Sequence, residues 1–445
     1  MRPHSLSRAP WRATLVAIAL VAAAVPVARA AAPDDEQKPF VVLIKDKSAN
    51  AKGVAAQHSH RFGVKVKEIY DRGLRGYSGS MTVDEAKRLA REPGVVVAPD
   101  EEVRAFDVVS QPTGTSPYSG APALWGLDRI DQAQRVPVNN QYNYFVDKPA
   151  DVVVAGAGTG VTAYVIDSGV RTGHVEFSGG RATVGFDAYG GDGQDCYGHG
   201  THVAGILGGT TFGVAKNVKI VSVKVLDCTG RGTTSNVVAG INWVTGNHQA
   251  GQPAVANMSL GGSSNAALDQ AVAASITDGI TYSIAAGNGN VFGNGVDACT
   301  TSPARVPAAL TVGATDNTDK KTAWSNYGKC VDVFAPGNNI PSAWGSTANP
   351  TAWQLASGTS MAAPAVGGVA ALFLSMVPGA SPAQVSKTLK DMATANVVTS
   401  SNTTGPKLLF APWGATDVGV AKAKLTGAGE TNPAPPPPSC FLICL

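Results

Sequence analysis

Val165-Ile166-Asp167-Ser168-Gly169, Gly198-His199-Gly200-Thr201-His202-Val203-Ala204-Gly205 and Gly358-Thr359-Ser360-Met361-Ala362-Ala363-Pro364 are three short glycine-flanked stretches. Each offers one member of a charge-relay centre, and Asp, His, Ser is one of the chain orders by which unrelated folds build the same nucleophile geometry. Asp167 follows the apolar run Val161 to Ile166, which reads as a buried parallel strand and sets the carboxylate at the carboxyl edge of a sheet. His199 opens a helix predicted over His199 to Gly208, where Gly198 and Gly200 allow a tight entry and small neighbours admit a substrate backbone. Ser360 begins a long apolar helix, Ser360 to Met376, with helix N–H groups behind its hydroxyl. Pro364 falls in the first turns, where its missing donor costs little.

Working outward, Val161 to Ile166, Ile220 to Leu226, Val255 to Met258, Ile280 to Ala285 and Leu310 to Val312 read as short apolar strands. Asn236 to Val244 and Ala266 to Thr277 read as helices between them. This alternation predicts an α/β fold, a parallel sheet covered on both faces, with right-handed crossovers carrying the three stretches to one edge. Ahead of it lies a small α+β unit, with strands Val41 to Ile44, Val64 to Tyr70 and Gly94 to Ala98 and a helix Val83 to Arg91.

The three stretches, 32 and 161 residues apart, resemble the signatures of the subtilisin-like serine proteases (peptidase S8), and most closely the secreted proteinase K-like branch. The resemblance covers about Leu124 to Gly414, while Val41 to Phe106 resembles the family's I9-type inhibitory pro-segment. It implies a three-layer subtilisin-like fold behind a ferredoxin-like pro-segment. The pro-segment would serve as intramolecular chaperone and inhibitor, cut off near Val109 or Ser110 by the enzyme itself, with Glu101 to Val109 lying in the cleft as a product.

Composition agrees with an extracellular enzyme. Charged residues are 15% of 445 and glycines number 51, which suits a loop-rich globular protein. The formal charge of +3 is no sign of a nucleic-acid partner, because residues 110–416 hold 16 Lys and Arg against 17 Asp and Glu. Residues 1–30 read as a secretory signal: Arg2, Arg8 and Arg12 precede the apolar run Ala13 to Val27, and Ala28-Arg29-Ala30 offers a cleavage site. That run is short for a membrane span, so the expected product is soluble, secreted and monomeric. Residues 31–109 form the expected propeptide, 110–416 the catalytic domain and 417–445 a proline-rich tail with Cys440 and Cys444 near its end.

An oxidising destination permits disulfides. The four cysteines Cys196, Cys228, Cys299 and Cys330 allow three pairings, and the resemblance implies Cys196 with Cys228 and Cys299 with Cys330. A metal centre on Asp195, Cys196, His199 and His202 is disfavoured by the poor ligand geometry of that stretch.

The chemistry expected is amide hydrolysis. Ser360 attacks, His199 acts as general base and then general acid, and Asp167 fixes the imidazole tautomer. By match to the family motif, Asn288 in Ala286-Gly287-Asn288-Gly289 joins the backbone N–H of Ser360 in an oxyanion hole. Ser259, Leu260 and Gly261 would pair with substrate backbone, and with Ala285, Ala286 and Gly287 they form, by resemblance, the two small uncharged walls of the pocket before the cut. Such walls suit apolar and aromatic residues. The resemblance also implies a structural calcium held by Asp332 and the carbonyls of Pro307 and Ala309; no organic cofactor is expected. His202 is expected to be structural. Ala365 departs from the histidine usual after the motif proline, which implies altered packing with activity retained. A narrow processing protease and an inactive pseudoprotease binding module are the rival readings.

Overall fold

Strands that are apolar throughout must be covered on both faces, and here they are. A computed structural model describes residues 36–106, 108–109, 124–133, 157–345 and 349–411. Among these, nine strands form the central sheet in the order Thr394–Ala395, Lys407–Leu408, Val333–Pro336, Leu310–Thr315, Thr281–Ala285, Ala254–Met258, Thr162–Asp167, Lys219–Lys224, Ala182–Asp187. Every neighbouring pair is parallel except the first. The expected strands are present with ends shifted by one to three residues. The strands Ala182–Asp187, Val333–Pro336, Thr394–Ala395 and Lys407–Leu408, toward the two ends of the sheet, are additions to the sequence reading.

One face of the sheet carries helices His199–Gly208 and Thr359–Met376; Thr234–Asn247 and Ala266–Thr277 cover the other. The helix Thr359–Met376 is long and apolar enough to cross a membrane, yet 94% of that stretch is buried in the protein, so it is the core helix. Its glycines permit close packing: a Cβ on Gly368 would lie 2.6 Å from the Val214 side chain and 2.9 Å from the Leu207 carbonyl oxygen. Pro364 has a positive consequence as well as a low cost. In a regular helix the Ser360 carbonyl would accept from the N–H of residue 364, which proline lacks. The Ser259 hydroxyl donates to that carbonyl instead, at 2.8 Å.

The N-terminal unit is an antiparallel sheet in the order Lys65–Tyr70, Gly76–Met81, Lys38–Ile44, Val95–Pro99, with helices Ala51–Phe62 and Val83–Leu89, in the β-α-β-β-α-β order of ferredoxin-like units. Period-two alternation assigns its faces. Phe40, Val42, Tyr77 and Met81 pack with Phe62 and Leu89 of its own helices. Val41, Leu43, Tyr70 and Ala98 join the core of the larger unit beside Val237, Ile241 and Ala271. Asn242 fastens this contact, its side-chain oxygen accepting the N–H groups of Arg72, Gly73 and Leu74 at 3.2, 3.0 and 2.9 Å. Gly73 is required there, because a Cβ would lie 2.2 Å from Thr245. Asp100 accepts from the Ser235 N–H and hydroxyl in the first turn of Thr234–Asn247, where helix N–H groups lack partners.

Both disulfides form as the resemblance implied, Cys196–Cys228 and Cys299–Cys330. The signal stretch 1–30, the tail 417–445 and residue 107 lie outside the described residues. Leu207 is fully buried between the sheet and the core helix. Leu207→Ala is expected to cost about 2–5 kcal/mol, read as a lower urea midpoint with an unchanged m value.

Candidate active site

Asp167 ends its strand at the carboxyl edge of the sheet, and its carbonyl accepts the N–H groups of Val225 and Leu226. Its carboxylate Oδ1 lies 2.7 Å from His199 Nδ1 and accepts the Ser168 N–H, also at 2.7 Å; both side chains are wholly buried. Two glycines make the approach possible. Gly198, at φ 113°, caps the helix where a Cβ would lie 2.3 Å from the Trp344 ring. A Cβ on Gly200 would lie 2.1 Å from the Gly169 carbonyl oxygen, so only glycine lets the helix start rest on the end of the Asp167 strand.

The residue that braces this junction is one the sequence offers only as a poor metal ligand. Asp195 is fully buried, and one carboxylate oxygen accepts from the Ser168 hydroxyl and the N–H groups of Tyr197 and Gly198. The other accepts from the Thr201 N–H and hydroxyl. Burial raises its pKa, opposed by the Thr201 and Gly198 hydrogen bonds. Lys224 lies beneath, donating to the carbonyls of Ser168 and Leu226. Burial lowers its pKa, with the carboxylates of Asp195, Asp187, Asp167 and Asp227 acting in the opposite sense. The Cys196–Cys228 bridge is anchored next to Asp195 in the chain and so closes the same turn.

Ser360 is the second residue of the core helix and fully buried. Its hydroxyl donates to the Ser259 carbonyl (3.0 Å) and accepts the Phe106 N–H (3.1 Å). Asn288 is held by Thr359, whose N–H and hydroxyl donate to its side-chain oxygen at 2.9 and 2.8 Å. That leaves the Asn288 Nδ2 buried without a partner among the described residues. A buried donor left unpaired is costly, and here it belongs to the residue adjoining the wall Ala285, Ala286 and Gly287. The same Thr359 hydroxyl accepts the Gly287 N–H, and Asn326 donates to the Ala286 carbonyl. Thr359 and Asn326 thus fix the residues expected at the oxyanion hole and pocket wall. The sequence offered no signal for Asn326, which acts from 40 residues beyond Ala286.

Between the two walls lies the end of the N-terminal unit. Glu102–Ala105 is a strand flanked by Arg231–Thr233 and Leu260–Ser263, pairing antiparallel with each. Phe106 donates its N–H to the Ser259 carbonyl, and its ring sits against glycines: a Cβ on Gly261 would lie 2.8 Å away and one on Gly287 3.9 Å away. Beyond it, Val108 and Val109 pair with Ser357 and Ala356.

His202 donates from Nε2 toward the carbonyls of Ile340 and Gln354, a structural role as expected. Burial pulls its pKa down to about 3. The unfolded imidazole binds a proton below about 6.5 while the folded one does not, so this residue's contribution to stability is lost as pH falls from about 6.5 toward 3. Ala365 packs beside an apolar cleft with Leu127, Ile130, Phe212 and Met361.

The calcium set meets a different environment from the expected one. Asp332 Oδ2 accepts the Thr311 N–H at 3.0 Å, and Oδ1 is paired with Lys390 Nζ at 3.1 Å. A second ammonium, Lys407, donates to the Lys390 carbonyl. A divalent cation bound at Oδ1 would have to displace the Lys390 ammonium, whose side chain is 34% exposed. Calcium at Asp332 with the carbonyls of Pro307 and Ala309 would therefore compete with Lys390 for the carboxylate. Asp332→Asn is expected to abolish a calcium-dependent rise in melting temperature; equal melting temperatures of the unaltered chain in calcium and in a chelator would rule the calcium assignment out.

Comparison with known proteins places the chain in a family. Residues 158–411 match the Subtilase family, Peptidase S8, and residues 39–106 match Peptidase inhibitor I9. The chain is 48% identical over 351 residues to an extracellular serine proteinase of Thermus sp. (strain Rt41A), covering 78% of each chain. It is 39% identical over 336 residues to a cuticle-degrading protease of Metarhizium anisopliae, covering 74% of this chain and 79% of that one. A cold-adapted subtilisin-like serine proteinase of known crystal structure is 49% identical, with a TM-score of 0.58, over 65% of this chain and 98% of its own. The chain belongs to the subtilase family and is a serine endopeptidase carrying an I9 pro-segment.

Proposed function

We propose that this chain is the zymogen of a secreted, broad-specificity endopeptidase that cuts itself after Phe106. The observation that carries the reading is the Phe106 N–H on the Ser360 hydroxyl, with the chain on either side paired to strands of the catalytic unit. Cleavage after Phe106 moves the pro-segment's end from the expected Val109 or Ser110 by three or four residues. It also agrees with the I9 match, which ends at 106.

In this mechanism the Ser360 oxygen attacks the Phe106 carbonyl carbon as His199 takes the hydroxyl proton, forming a tetrahedral oxyanion. Asp167 holds the imidazole by its Nδ1 side and stabilises the imidazolium. The Asn288 Nδ2 and the Ser360 N–H receive the oxyanion. His199 returns the proton to the departing amine as the C–N bond breaks, leaving an acyl-enzyme on Ser360. Water then repeats the sequence, with His199 again as base, and releases the carboxylate. The released Glu102–Phe106 strand keeps its backbone pairing, so the product stays as inhibitor until it is itself degraded.

Uncharged walls at Gly261 and Gly287, filled by a phenylalanine ring, support an apolar and aromatic preference before the cut. Secretion is supported by the leader composition and by relatives named extracellular.

Ser360→Ala is expected to yield a product with the pro-segment attached, while the unaltered chain yields a mature species beginning at residue 107, both read by mass. A mature-length S360A product from a protease-free host would rule out self-cleavage. Asn288→Ala is expected to cut kcat on chromogenic peptides about 10²–10³-fold, with KM little changed. Cleavage of casein and of aromatic peptides supports broad specificity; cleavage of one dibasic peptide alone supports a processing enzyme, and of neither, a pseudoprotease.

A further inference from the structure

Val291 and Phe292 are 90% and 82% exposed, whereas no other exposed large apolar side chain among the described residues exceeds 46%. They form the tip of a turn that leaves the pocket wall directly: Gly287 faces the Phe106 ring, Asn288 follows, and the tip comes three residues later.

The turn is held at every other point. Asn290 and Asn294 close it through backbone bonding, and the Asn290 side chain accepts the N–H groups of Phe292 and Asn294. Asn326 gathers the base, accepting from Gly289 and Val296. Gly293 takes φ 72°. Nothing in this turn requires apolar side chains at its tip, where polar residues ordinarily stand. The tip is also uncovered while the pro-segment occupies the cleft, so the pro-segment is not its partner.

We infer that Val291 and Phe292 form a substrate-engaging tip that grips apolar segments of a polypeptide outside the residues flanking the cut. The inference rests on the protease reading above. Continuity with the cleft wall puts the tip beside any chain held there. Two side chains supply a contact far below that of a stable complex, as suits a substrate that must leave. A lipid surface is a poorer match, since residues 286–304 contain no Lys or Arg and membrane-binding elements combine a broad apolar face with basic residues.

The test is the double variant Val291→Ser/Phe292→Ser. Its kcat/KM on casein is expected to fall about 3- to 10-fold through KM, in proportion to partial burial of two apolar side chains, with hydrolysis of a short chromogenic peptide unchanged. Phe292→Trp alone, which keeps an aromatic side chain at the tip, should retain casein activity. Equal casein kinetics for the unaltered enzyme and the double variant would overturn the inference. So would loss of sedimentation with anionic phosphatidylglycerol vesicles while casein cleavage stays unchanged. If the unaltered enzyme cuts neither casein nor the peptide, the protease reading itself fails.

Discussion

One buried carboxylate decides whether the rest of the site can exist. Asp195 receives hydrogen bonds from Ser168, which follows Asp167, and from Gly198, which precedes His199. Its bond from the Thr201 N–H reaches into the helix that His199 begins. A strand end, through the Ser168 hydroxyl, and a helix start, through its unpaired backbone N–H groups, are thereby joined by one carboxylate. A charge buried without such donors would cost several kcal/mol. With its donors present it restricts the Asp167–His199 geometry far more tightly than two flexible loops would. Glycines 198 and 200 supply the steric permission, and the disulfide at Cys196 limits how far the turn can open.

The serine side is built by a different device. Pro364 denies the Ser360 carbonyl its helical partner, Ser259 supplies the missing donor, and the Ser259 carbonyl receives both the Ser360 hydroxyl and the Phe106 N–H. A proline within a helix thus links the proposed nucleophile to the strand that meets the incoming chain. Thr359 performs the matching task for Asn288, occupying the amide oxygen so that the Nδ2 is left for another acceptor. Preorganised donors of this kind need little rearrangement as charge develops.

How much of this could be read from residues alone follows from the range of the interactions. Long apolar runs and glycine-flanked polar residues report local structure, and the central strands, the core helix and the triad candidates were legible for that reason. The helix Ala51–Phe62 was not, because its buried face is Ala51, Ala55, His58 and Phe62, too small and polar to register as an apolar stripe. Gly76–Met81 hid similarly behind glycine and serine. The helix Pro382–Met392 did carry a signal, the capping box of Ser381 and Gln384, that was not used. Asp195, Thr359 and Asn326 were illegible as parts of the site, since their importance lies in polar partners distributed across the fold. Lys390 is the sharpest case. Its partner Asp332 lies 58 residues away, and that pairing changes what the carboxylate can bind.

The position of the pro-segment makes the proposed cleavage site an inhibitory contact as well, by simple strand geometry. An extended chain between Arg231–Thr233 and Leu260–Ser263 satisfies backbone groups on both its edges, where a single added strand satisfies one. The alternation of side chains then sends Val103 into the core beside Leu226 and Leu260, while Glu102 and Arg104 stay toward solvent. This pairing does not involve the bond after Phe106, so cleavage there leaves it intact. Additional contacts through Asn242 and Asp100 lie farther still from the cut. On the proposed cut after Phe106, hydrolysis would remove covalent attachment without removing the contacts that fill the cleft, and activation would depend on dissociation or digestion of the folded N-terminal unit as a separate event.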